Sequence, residues 1–452
     1  MLTYELKKAP GVPLYEALYR CIRDDILSGQ LAPGTKLPSK RALGTNLKVS
    51  KITVEGAYSQ LLSEGFISSR EKVGYFVEAT RRSDVKPLPT ALPETNEDPG
   101  IDLTANGPAH FPFSVWSKLQ REVMLDLGEQ LLQELPNQGI LQLRQAIAQH
   151  LSQFRGMQVD PQNILIGAGT DFLYNLLIQL LGRDKVYAVE DPGYSKIRQI
   201  YDAAGASCTN AQMDDSGVLP ETLKNAHVLH ISPSHHFPTG LVTPLNRRQA
   251  LLAWANVSPD RWIIEDDYDS EFRFAAHPLP TIQSLDSSKV IYMNTFSKTL
   301  ASSIRISYMV LPTVLMTAFR EKLDFYSCTV PSFEQYTLAR FLSRGHFEKH
   351  INRMRKFYRS RRDRVLSALS PLQNRITILE QNAGLHFLVK LDASLSDQDV
   401  GQWLTSMDIR VRTLSSYYHG PCPESTKHCL VVNYSGLSDE ALARLETKLK
   451  EL

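Results

Sequence analysis

The chain has 452 residues, of which 42% are hydrophobic and 22% charged, so it is too long for one compact domain and too apolar for wholesale disorder. It has no run of about 18 apolar residues and no pattern of a secretory leader, so we expect neither a membrane span nor export. The five cysteines are scattered without a CxxC pair, which predicts no disulfide framework, no metal site and a cytoplasmic location.

Charge and proline content divide the chain. Residues 1–82 contain 13 Lys and Arg against 8 Asp and Glu, a net charge of +5, whereas the remainder carries −3. A small basic head on a slightly acidic body is typical of a nucleic-acid module joined to a second domain. Residues 80–101 contain four prolines, at positions 87, 89, 93 and 99, and show no helical or strand period. This composition predicts an extended, semi-rigid linker. The predicted organisation is a head, a linker and a body: residues 1–79, 80–101 and 102–452.

The head shows the pattern of a winged helix. Apolar residues recur at four-residue spacing in a first helix, at Leu14, Leu18, Ile22 and Ile26. Ser39 and Ser50 are the expected N-caps of two further helices, the second beginning at Lys51. A hairpin is predicted between Phe66 and Val77, with Gly74 at its tip. In such a fold the second helix of the helix–turn–helix pair enters the major groove of DNA.

Polar and basic residues cluster where phosphate and base contacts belong. The alternative is a small three-helix bundle with a structural hairpin, but the segment LPSKRALGTNLKVSKITVEGAYSQLLSEG resembles the GntR-type winged helix over residues 11–78. Lys51 stands where an arginine is common, which weakens bidentate reading of guanine. The predicted DNA contacts are Ser39, Lys40, Arg41, Lys51, Thr53, Lys72 and Gly74.

The body alternates apolar strand-like runs with amphipathic helices, including a helix at 170–181 and another near 195–204. This alternation predicts an α/β fold with a mostly parallel sheet covered on both faces. From about residue 332 the helices lengthen, and strands reappear at 376–433, as in a C-terminal α+β subdomain. The predicted strands are NILIGAG, KVYAVEDPGY, AHVLHISP, RWIIEDDYD and KVIYMNTFSK.

One segment of the body carries the clearest chemistry. Lys298 follows a predicted strand, Thr295 and Ser297 precede it, and Arg305 comes seven residues later. A lysine with hydroxyls and a guanidinium nearby suits a cofactor that has both an aldehyde and a phosphate. The alternative is a surface lysine at the start of a helix.

Three other segments fit the same cofactor. A carboxylate within Glu265-Asp266-Asp267 could pair with a pyridinium nitrogen, although these acids also fit a metal site or a solvated strand end. Gly167-Ala-Gly-Thr170 precedes a helix, whose N-terminus could hold a phosphate. Tyr194 ends another strand and could stack on a flat ring, or belong to the core or its rim.

The order and spacing of these segments resemble the fold-type I aminotransferases that use pyridoxal 5′-phosphate, across residues 102–452. With its GntR-type head, the whole chain resembles the MocR/GabR family of bacterial transcription regulators. The resemblance implies that Lys298 forms the Schiff base, Arg305 binds the phosphate, Asp266 faces the pyridinium nitrogen and Tyr268 the phenolic oxygen. It also implies that Tyr194 stacks on the ring and that Gly169, Thr170 and Asp171 line the phosphate cup.

Two positions depart from the aminotransferase pattern, and a third departs from the pattern of the regulator family. The aminotransferases have an asparagine that forms a hydrogen bond to the cofactor ring, and Phe237 stands at its position. The absence of this asparagine is usual in the regulators. The arginine for the substrate carboxylate falls on Val431, and a second effector arginine of the family falls on Lys196. Because a desolvated carboxylate needs a charged partner, an amino-acid ligand would require another cation. The nearby candidates are Arg198, Arg410 and Arg412.

These features favour a transcriptional regulator that binds promoter DNA through its head and senses a small molecule in its body. The effector is expected to be pyridoxal phosphate itself, or an amine or amino acid, with control of vitamin B6 or amino-acid metabolism. A homodimer is expected because fold-type I sites are built at a subunit interface. The alternatives are an active aminotransferase, which the missing asparagine and arginine disfavour, and a storage or chaperone protein for the cofactor.

Overall fold

The computed structural model describes residues 2–4, 6, 13–79, 100–105, 107, 110–272, 280–379, 384–391 and 396–450. The chain divides into two compact units, Met1–Glu97 and Asp98–Leu452. All but the last two residues of the predicted linker, 80–101, lie outside the described residues, so its extended form stays a prediction. No helix in the described ranges is long and apolar enough to cross a membrane.

Three helices and a hairpin form the N-terminal unit. The helices are α1 (Leu14–Ser28), α2 (Lys40–Leu47) and α3 (Lys51–Ser63). As predicted, the hydroxyl oxygens of Ser39 and Ser50 cap α2 and α3, since they accept hydrogen bonds from the backbone N–H groups of Ala42 (3.2 Å) and Thr53 (3.1 Å). The apolar stripe of α1 packs on α3 in one buried cluster.

The hairpin consists of β1 (Ile67–Arg70) and β2 (Gly74–Val77), which pair antiparallel with Arg70 opposite Gly74. The prediction of Gly74 at the tip is therefore wrong: Gly74 is the first residue of β2, and the turn is Glu71-Lys72-Val73. Lys72 adopts the left-handed conformation, with φ 58°, and places its exposed side chain on the tip.

The C-terminal unit begins with the short strand β3 (Ile101–Asp102) and is built on an eight-stranded sheet of order β4-β11-β10-β9-β8-β5-β6-β7. The strands from β10 to β6 are parallel, and antiparallel pairs lie at both ends. All five predicted strands are present. The strands are β4 (Ile164–Gly167), β5 (Val186–Asp191), β6 (Ser207–Asp214), β7 (Gly217–Val218), β8 (Val228–Ile231), β9 (Trp262–Asp266), β10 (Val290–Thr295) and β11 (Ser307–Val310).

Helices cover both faces of this sheet. Ile264 packs on one face among residues of α6 and α11, and its neighbour Ile263 packs on the other face against α8. Burial on both faces explains why the central strands are continuous apolar runs. The helices of this region are α4 (Phe113–Leu127), α5 (Leu141–Arg155), α6 (Thr170–Leu181), α7 (Ser195–Ala203), α8 (Leu245–Asn256), α9 (Ile282–Leu285), α10 (Phe296–Thr299) and α11 (Thr313–Lys322).

The predicted C-terminal α+β region packs around a four-stranded antiparallel sheet of order β12-β13-β16-β15. Val431 in β16 lies between Leu388 of β13 and Arg412 of β15, while β14 pairs with β3. The helices are α12 (Ser332–Ser343), α13 (His346–Leu369), α14 (Asp397–Ser406) and α15 (Asp439–Lys450). The strands are β12 (Ile376–Leu379), β13 (His386–Leu391), β14 (Ile409–Arg410), β15 (Arg412–Thr413) and β16 (Cys429–Asn433).

Candidate functional site

Lys298 lies just beyond the carboxyl end of β10, in the single turn of α10. Because β10 pairs parallel with β9, with Met293 opposite Asp266, the ends of both strands meet at one edge of the sheet. Ligands of parallel α/β sheets bind at this edge. Burial lowers the pKa of Lys298 from its ordinary value of 10.5, an effect that the carboxylate of Asp269 opposes. A lowered pKa raises the fraction of neutral amine, the form that attacks an aldehyde.

Asp266 is buried at the end of β9, with 5% of its surface exposed. Its Oδ2 accepts a hydrogen bond from the hydroxyl of Tyr174, and Nε2 of His230 lies 3.6 Å from the same oxygen. Its Oδ1 is also buried but has no hydrogen-bond partner among the described residues. Since a buried carboxylate oxygen without a partner is costly, Oδ1 suits a ligand N–H such as that of a pyridinium ring.

A cradle for an anion lies where β4 ends and α6 begins. Gly169 has φ 94°, and a side chain at this position would collide with the guanidinium of Arg305. Arg305 therefore lies directly on the backbone, where its Nη2 donates to the carbonyl of Ala168 at 3.3 Å. The hydroxyl of Ser297 is buried without a hydrogen-bond partner in the described part of the chain. This donor set, next to the helix N-terminus that begins at Thr170, fits a phosphate.

Two residues predicted at the phosphate are already engaged within the protein. Oγ1 of Thr295 accepts hydrogen bonds from the backbone N–H of Ser297 (3.1 Å) and from the hydroxyl of Ser307 (2.7 Å). Thr295 thus caps α10 and positions Ser297. The Asp171 carboxylate binds Nζ of Lys196 at 2.8 Å and lies 3.4 Å from Nη2 of Arg305. Asp171 thus contacts two cations of the chain, and its predicted place in the phosphate cup stays a prediction.

The side of the site at which the sequence places the cofactor ring is aromatic. Tyr194 precedes α7 with half of its surface exposed, and its ring centroid lies 5.9 Å from that of Phe237 in an edge-on arrangement. The hydroxyl of Tyr268 donates to the carbonyl of His235 at 3.1 Å. Burial and the neighbouring carboxylate of Asp269 raise the pKa of Tyr268 well above its usual value, so this phenol stays a neutral donor.

The position of the expected carboxylate arginine is apolar. Val431 packs in a buried cluster with Leu388 and Tyr417, and Phe237 contacts the same cluster. Lys196, at the second effector position, is paired with Asp171. Of the three candidate substitutes, Arg198 binds Asn210 and approaches Asp202. Arg410 lies in β14, outside this sheet. Arg412 is exposed directly opposite Val431, and it contacts Tyr417.

Sequence reasoning missed a group of histidines near Lys298. His235 Nδ1 lies 2.8 Å from Oδ2 of Asp269, and the ring centroids of His235 and His386 are 4.7 Å apart. The Nε2 atoms of both histidines are buried without hydrogen-bond partners among the described residues. His235 lies two residues before Phe237, and no role was predicted for it from the sequence. His386 carries no local signal, since only the pairing of β13 with β16 places it here.

The winged helix leaves some of the predicted DNA contacts exposed and engages others. Arg41, Lys51 and Lys72 are exposed. Lys40 is half-buried: its Nζ binds Oε1 of Glu55 at 2.6 Å and lies 5.4 Å from the Tyr75 ring centroid. The hydroxyl of Thr53 is 2.8 Å from that of Ser50. Ile52, which was not predicted, is 79% exposed in the first turn of α3, where an apolar side chain suits a thymine methyl group.

The fold and the site together define a winged-helix DNA-binding protein with a pyridoxal phosphate-type α/β domain. Residues 14–77 match the family of bacterial regulatory proteins, gntR family, and residues 98–449 match aminotransferase class I and II. The aminotransferase class I and II family depends on pyridoxal phosphate. The residues at the site fit this group, because Oδ1 of Asp266 and the hydroxyl of Ser297 are buried and have no hydrogen-bond partner within the described ranges.

Relatives with both domains establish the family. The chain is 35% identical to the uncharacterized HTH-type transcriptional regulator YdeL of Bacillus subtilis, over 99% of this chain and 98% of the relative. It is 33% identical to the HTH-type pyridoxine biosynthesis transcriptional regulator PdxR of Corynebacterium glutamicum, over 88% and 87%. The crystal structure of Pyrococcus horikoshii kynurenine aminotransferase in complex with PMP matches with TM-score 0.66 and 26% identity, covering 78% of this chain and 91% of that one.

The chain therefore belongs to the MocR/GabR family of GntR-type transcriptional regulators, in which a winged helix is fused to an aminotransferase-like domain. This confirms the family, the fold class and the cofactor predicted from the sequence.

Proposed function

We propose that this regulator senses pyridoxal phosphate itself and that occupancy of the site at Lys298 changes how the winged helix binds promoter DNA. One contrast carries this proposal. The site keeps a lysine with a lowered pKa and, for the ring and phosphate, buried groups that have no partner among the residues that the structure describes. In contrast, the usual position of the carboxylate arginine holds Val431. The name of the relative PdxR, a pyridoxine biosynthesis regulator, supports the same effector.

The proposed roles follow from what each side chain offers. The cofactor supplies, when bound, an aldehyde that reacts with amines and a phosphate that anchors it. Lys298 would present a neutral amine to the aldehyde carbon, and the Asp266 carboxylate would accept a hydrogen bond from the ring N–H and so keep that nitrogen protonated. Tyr268 would donate to the phenolic oxygen in place of the His235 carbonyl, and Tyr194 would cover a face of the ring. Phosphate contacts are assigned to the backbone and side chains of Gly169, Thr170, Ser297 and Arg305.

The head is proposed to bind DNA through the exposed cations Arg41, Lys51 and Lys72 at phosphates, with Thr53 and Ile52 at the bases. A homodimer would present two such heads to a pair of direct or inverted half-sites. The C-terminal unit exposes Phe113, Leu125 and Leu132 by about three-quarters each, so these side chains are the first positions to test for an interface. A fragment of the chain that starts at residue 84 should not bind the promoter.

A second candidate is an active aminotransferase, because Lys298, Asp266 and Tyr268 make up the groups that such chemistry requires. Turnover with an amino donor and 2-oxoglutarate distinguishes the two functions. The regulator predicts no sustained turnover, whereas the enzyme predicts steady consumption of the oxoacid.

The direct test of the proposal is a titration of operator binding against pyridoxal phosphate, pyridoxal and a panel of amines and D- and L-amino acids. We expect pyridoxal phosphate alone to change operator affinity or DNA bending. A response that requires an added amine would move the effector to the amine, with Arg412 as the cation to test first.

A further inference from the structure

The phosphate cradle contains a carboxylate of its own. Asp171 lies in the first turn of α6, one residue after Thr170, and its Oδ2 is 3.4 Å from Nη2 of Arg305. The same oxygen is 2.8 Å from Nζ of Lys196. One carboxylate oxygen thus joins the guanidinium assigned to the phosphate with the ammonium group of the first turn of α7.

This arrangement affects a phosphate in two ways. Asp171 partly satisfies the donors of Arg305, so an incoming phosphate must compete with it for that guanidinium. Asp171 also places a negative charge beside a ligand that carries a charge of about −1.5 to −2 at neutral pH. Side-chain exposures of 49% for Arg305 and 36% for Asp171 mean that solvent screens both effects without removing them.

Lys196 limits the competition. Its ammonium group holds the Asp171 oxygen at a shorter distance than Arg305 does, and its side chain is 46% exposed at the rim of the site. Without Lys196, the carboxylate would have Arg305 as its cation in this cluster. The pair of charges therefore sets how readily Arg305 is available to a phosphate.

We propose that Asp171 is an affinity-lowering anion in the phosphate cradle and that Lys196 moderates it, so that the protein binds pyridoxal phosphate reversibly in the range over which its free concentration varies. This inference rests on the proposed sensing function and gives that function a tunable element. A sensor needs a ligand that dissociates, and an acid next to the phosphate supplies a faster dissociation while leaving Lys298 and the buried ring contacts intact.

The test measures binding of pyridoxal phosphate to the full-length chain at equilibrium, by absorbance and by quenching of intrinsic fluorescence. Asp171→Asn should bind pyridoxal phosphate about tenfold more tightly than wild type, because one nearby negative charge is removed from a half-exposed site. The gain should shrink at high salt. Asp215→Asn is the matched control, since it removes an exposed acid from the turn between β6 and β7.

Four further measurements separate this role from a general change in charge or folding. Pyridoxal, which lacks the phosphate, should bind both proteins equally, and inorganic phosphate should compete better in Asp171→Asn. Lys196→Gln should weaken binding of pyridoxal phosphate several-fold in the wild-type chain but much less in Asp171→Asn. Thermal unfolding without ligand checks that each variant folds.

The possible results distinguish a failure of this inference from a failure of the proposed sensing function. Tighter binding of pyridoxal phosphate alone in Asp171→Asn, together with a Lys196 effect that depends on Asp171, supports the inference. Unchanged or weaker binding in Asp171→Asn overturns it while leaving the proposed sensing function in place. A wild-type chain that binds no pyridoxal phosphate overturns the sensing function and this inference with it.

Discussion

The proposed cofactor site has a ring end at Asp266 and a phosphate end at Arg305, and these two ends are built differently. At the ring end, Asp266 is 5% exposed, Tyr174 orients it and one of its oxygens has no partner among the described residues. At the phosphate end, Arg305 is half exposed and its charge is partly balanced by Asp171. Electrostatic effects are larger in buried surroundings than at the surface. The ring end should therefore supply most of the affinity for the cofactor. Changes at the phosphate end should alter that affinity by smaller factors.

The largest effect should come from Lys298, which joins the two ends. Lys298→Ala should abolish the absorption band of the covalently held cofactor, expected at about 410–430 nm from general imine chemistry. The thermal unfolding temperature should stay close to that of wild type, because the lysine contributes little packing. Lys322→Ala, an exposed lysine in α11, should keep the band. A wild-type chain that never shows the band would remove the cofactor from this account.

The comparison itself is tested by one variant at each end. Asp266→Asn should weaken binding of pyridoxal phosphate about 100-fold, because a buried charge loses its partner. Arg305→Gln should weaken it only about tenfold, since the lost guanidinium is half exposed and shared with Asp171. Equilibrium titration of both variants measures the difference. An equal or larger loss in Arg305→Gln would contradict the proposed division between the two ends.

A smaller effect should appear in the N-terminal unit, where Arg41 is exposed and Lys40 is paired with Glu55. Arg41→Ala should lower operator affinity several-fold and reduce the slope of log affinity against log salt by about 1. Lys40→Ala should have a smaller effect, because Lys40 is half-buried on Glu55 and Tyr75. Thr53→Ala should mainly reduce discrimination between sequences. Fluorescence anisotropy with specific and unrelated DNA measures all three; a greater loss in Lys40→Ala than in Arg41→Ala would contradict this.

The smallest effect concerns pH. Because burial lowers the pKa of Lys298, the rate constant of cofactor association should rise with pH and level off below the ordinary lysine pKa of 10.5. The rate constant rises because the neutral amine is the reactive form and this form predominates above the lowered pKa. Stopped-flow absorbance between pH 6 and 10 measures the profile. A rate that keeps increasing to the end of this range would mean that Lys298 is not desolvated.

The sequence predicted the elements whose signals are local. The helix predicted at 170–181 is Thr170–Leu181, because a glycine turn precedes an apolar stretch and Gly182 ends it. The caps Ser39 and Ser50 were likewise predicted, since capping depends on a hydroxyl and an N–H three residues away. Gly74 was misplaced by a few residues because several turn types fit the same hairpin sequence.

The site was predicted less completely, because contacts between distant residues depend on tertiary packing. Lys298 and Asp266 were identified from their order along the chain, and the parallel pairing of β9 and β10 brings their strand ends together. The Asp171–Lys196 and Lys40–Glu55 ion pairs join residues that are 25 and 15 positions apart, and no local pattern announces them. His386 reaches the site only through the register of the C-terminal sheet.

The central claim is that occupancy of the site and operator binding are coupled, and coupling of this kind must be reciprocal. The most direct measurement is the affinity for pyridoxal phosphate of the full-length protein with and without a saturating specific operator, alongside the operator affinity with and without cofactor. The account predicts that both affinities change by the same factor in wild type, and that the operator affinity of Lys298→Ala no longer responds. Equal affinities in wild type, with no effect of the cofactor on DNA bending or transcription, would contradict it and favour the aminotransferase.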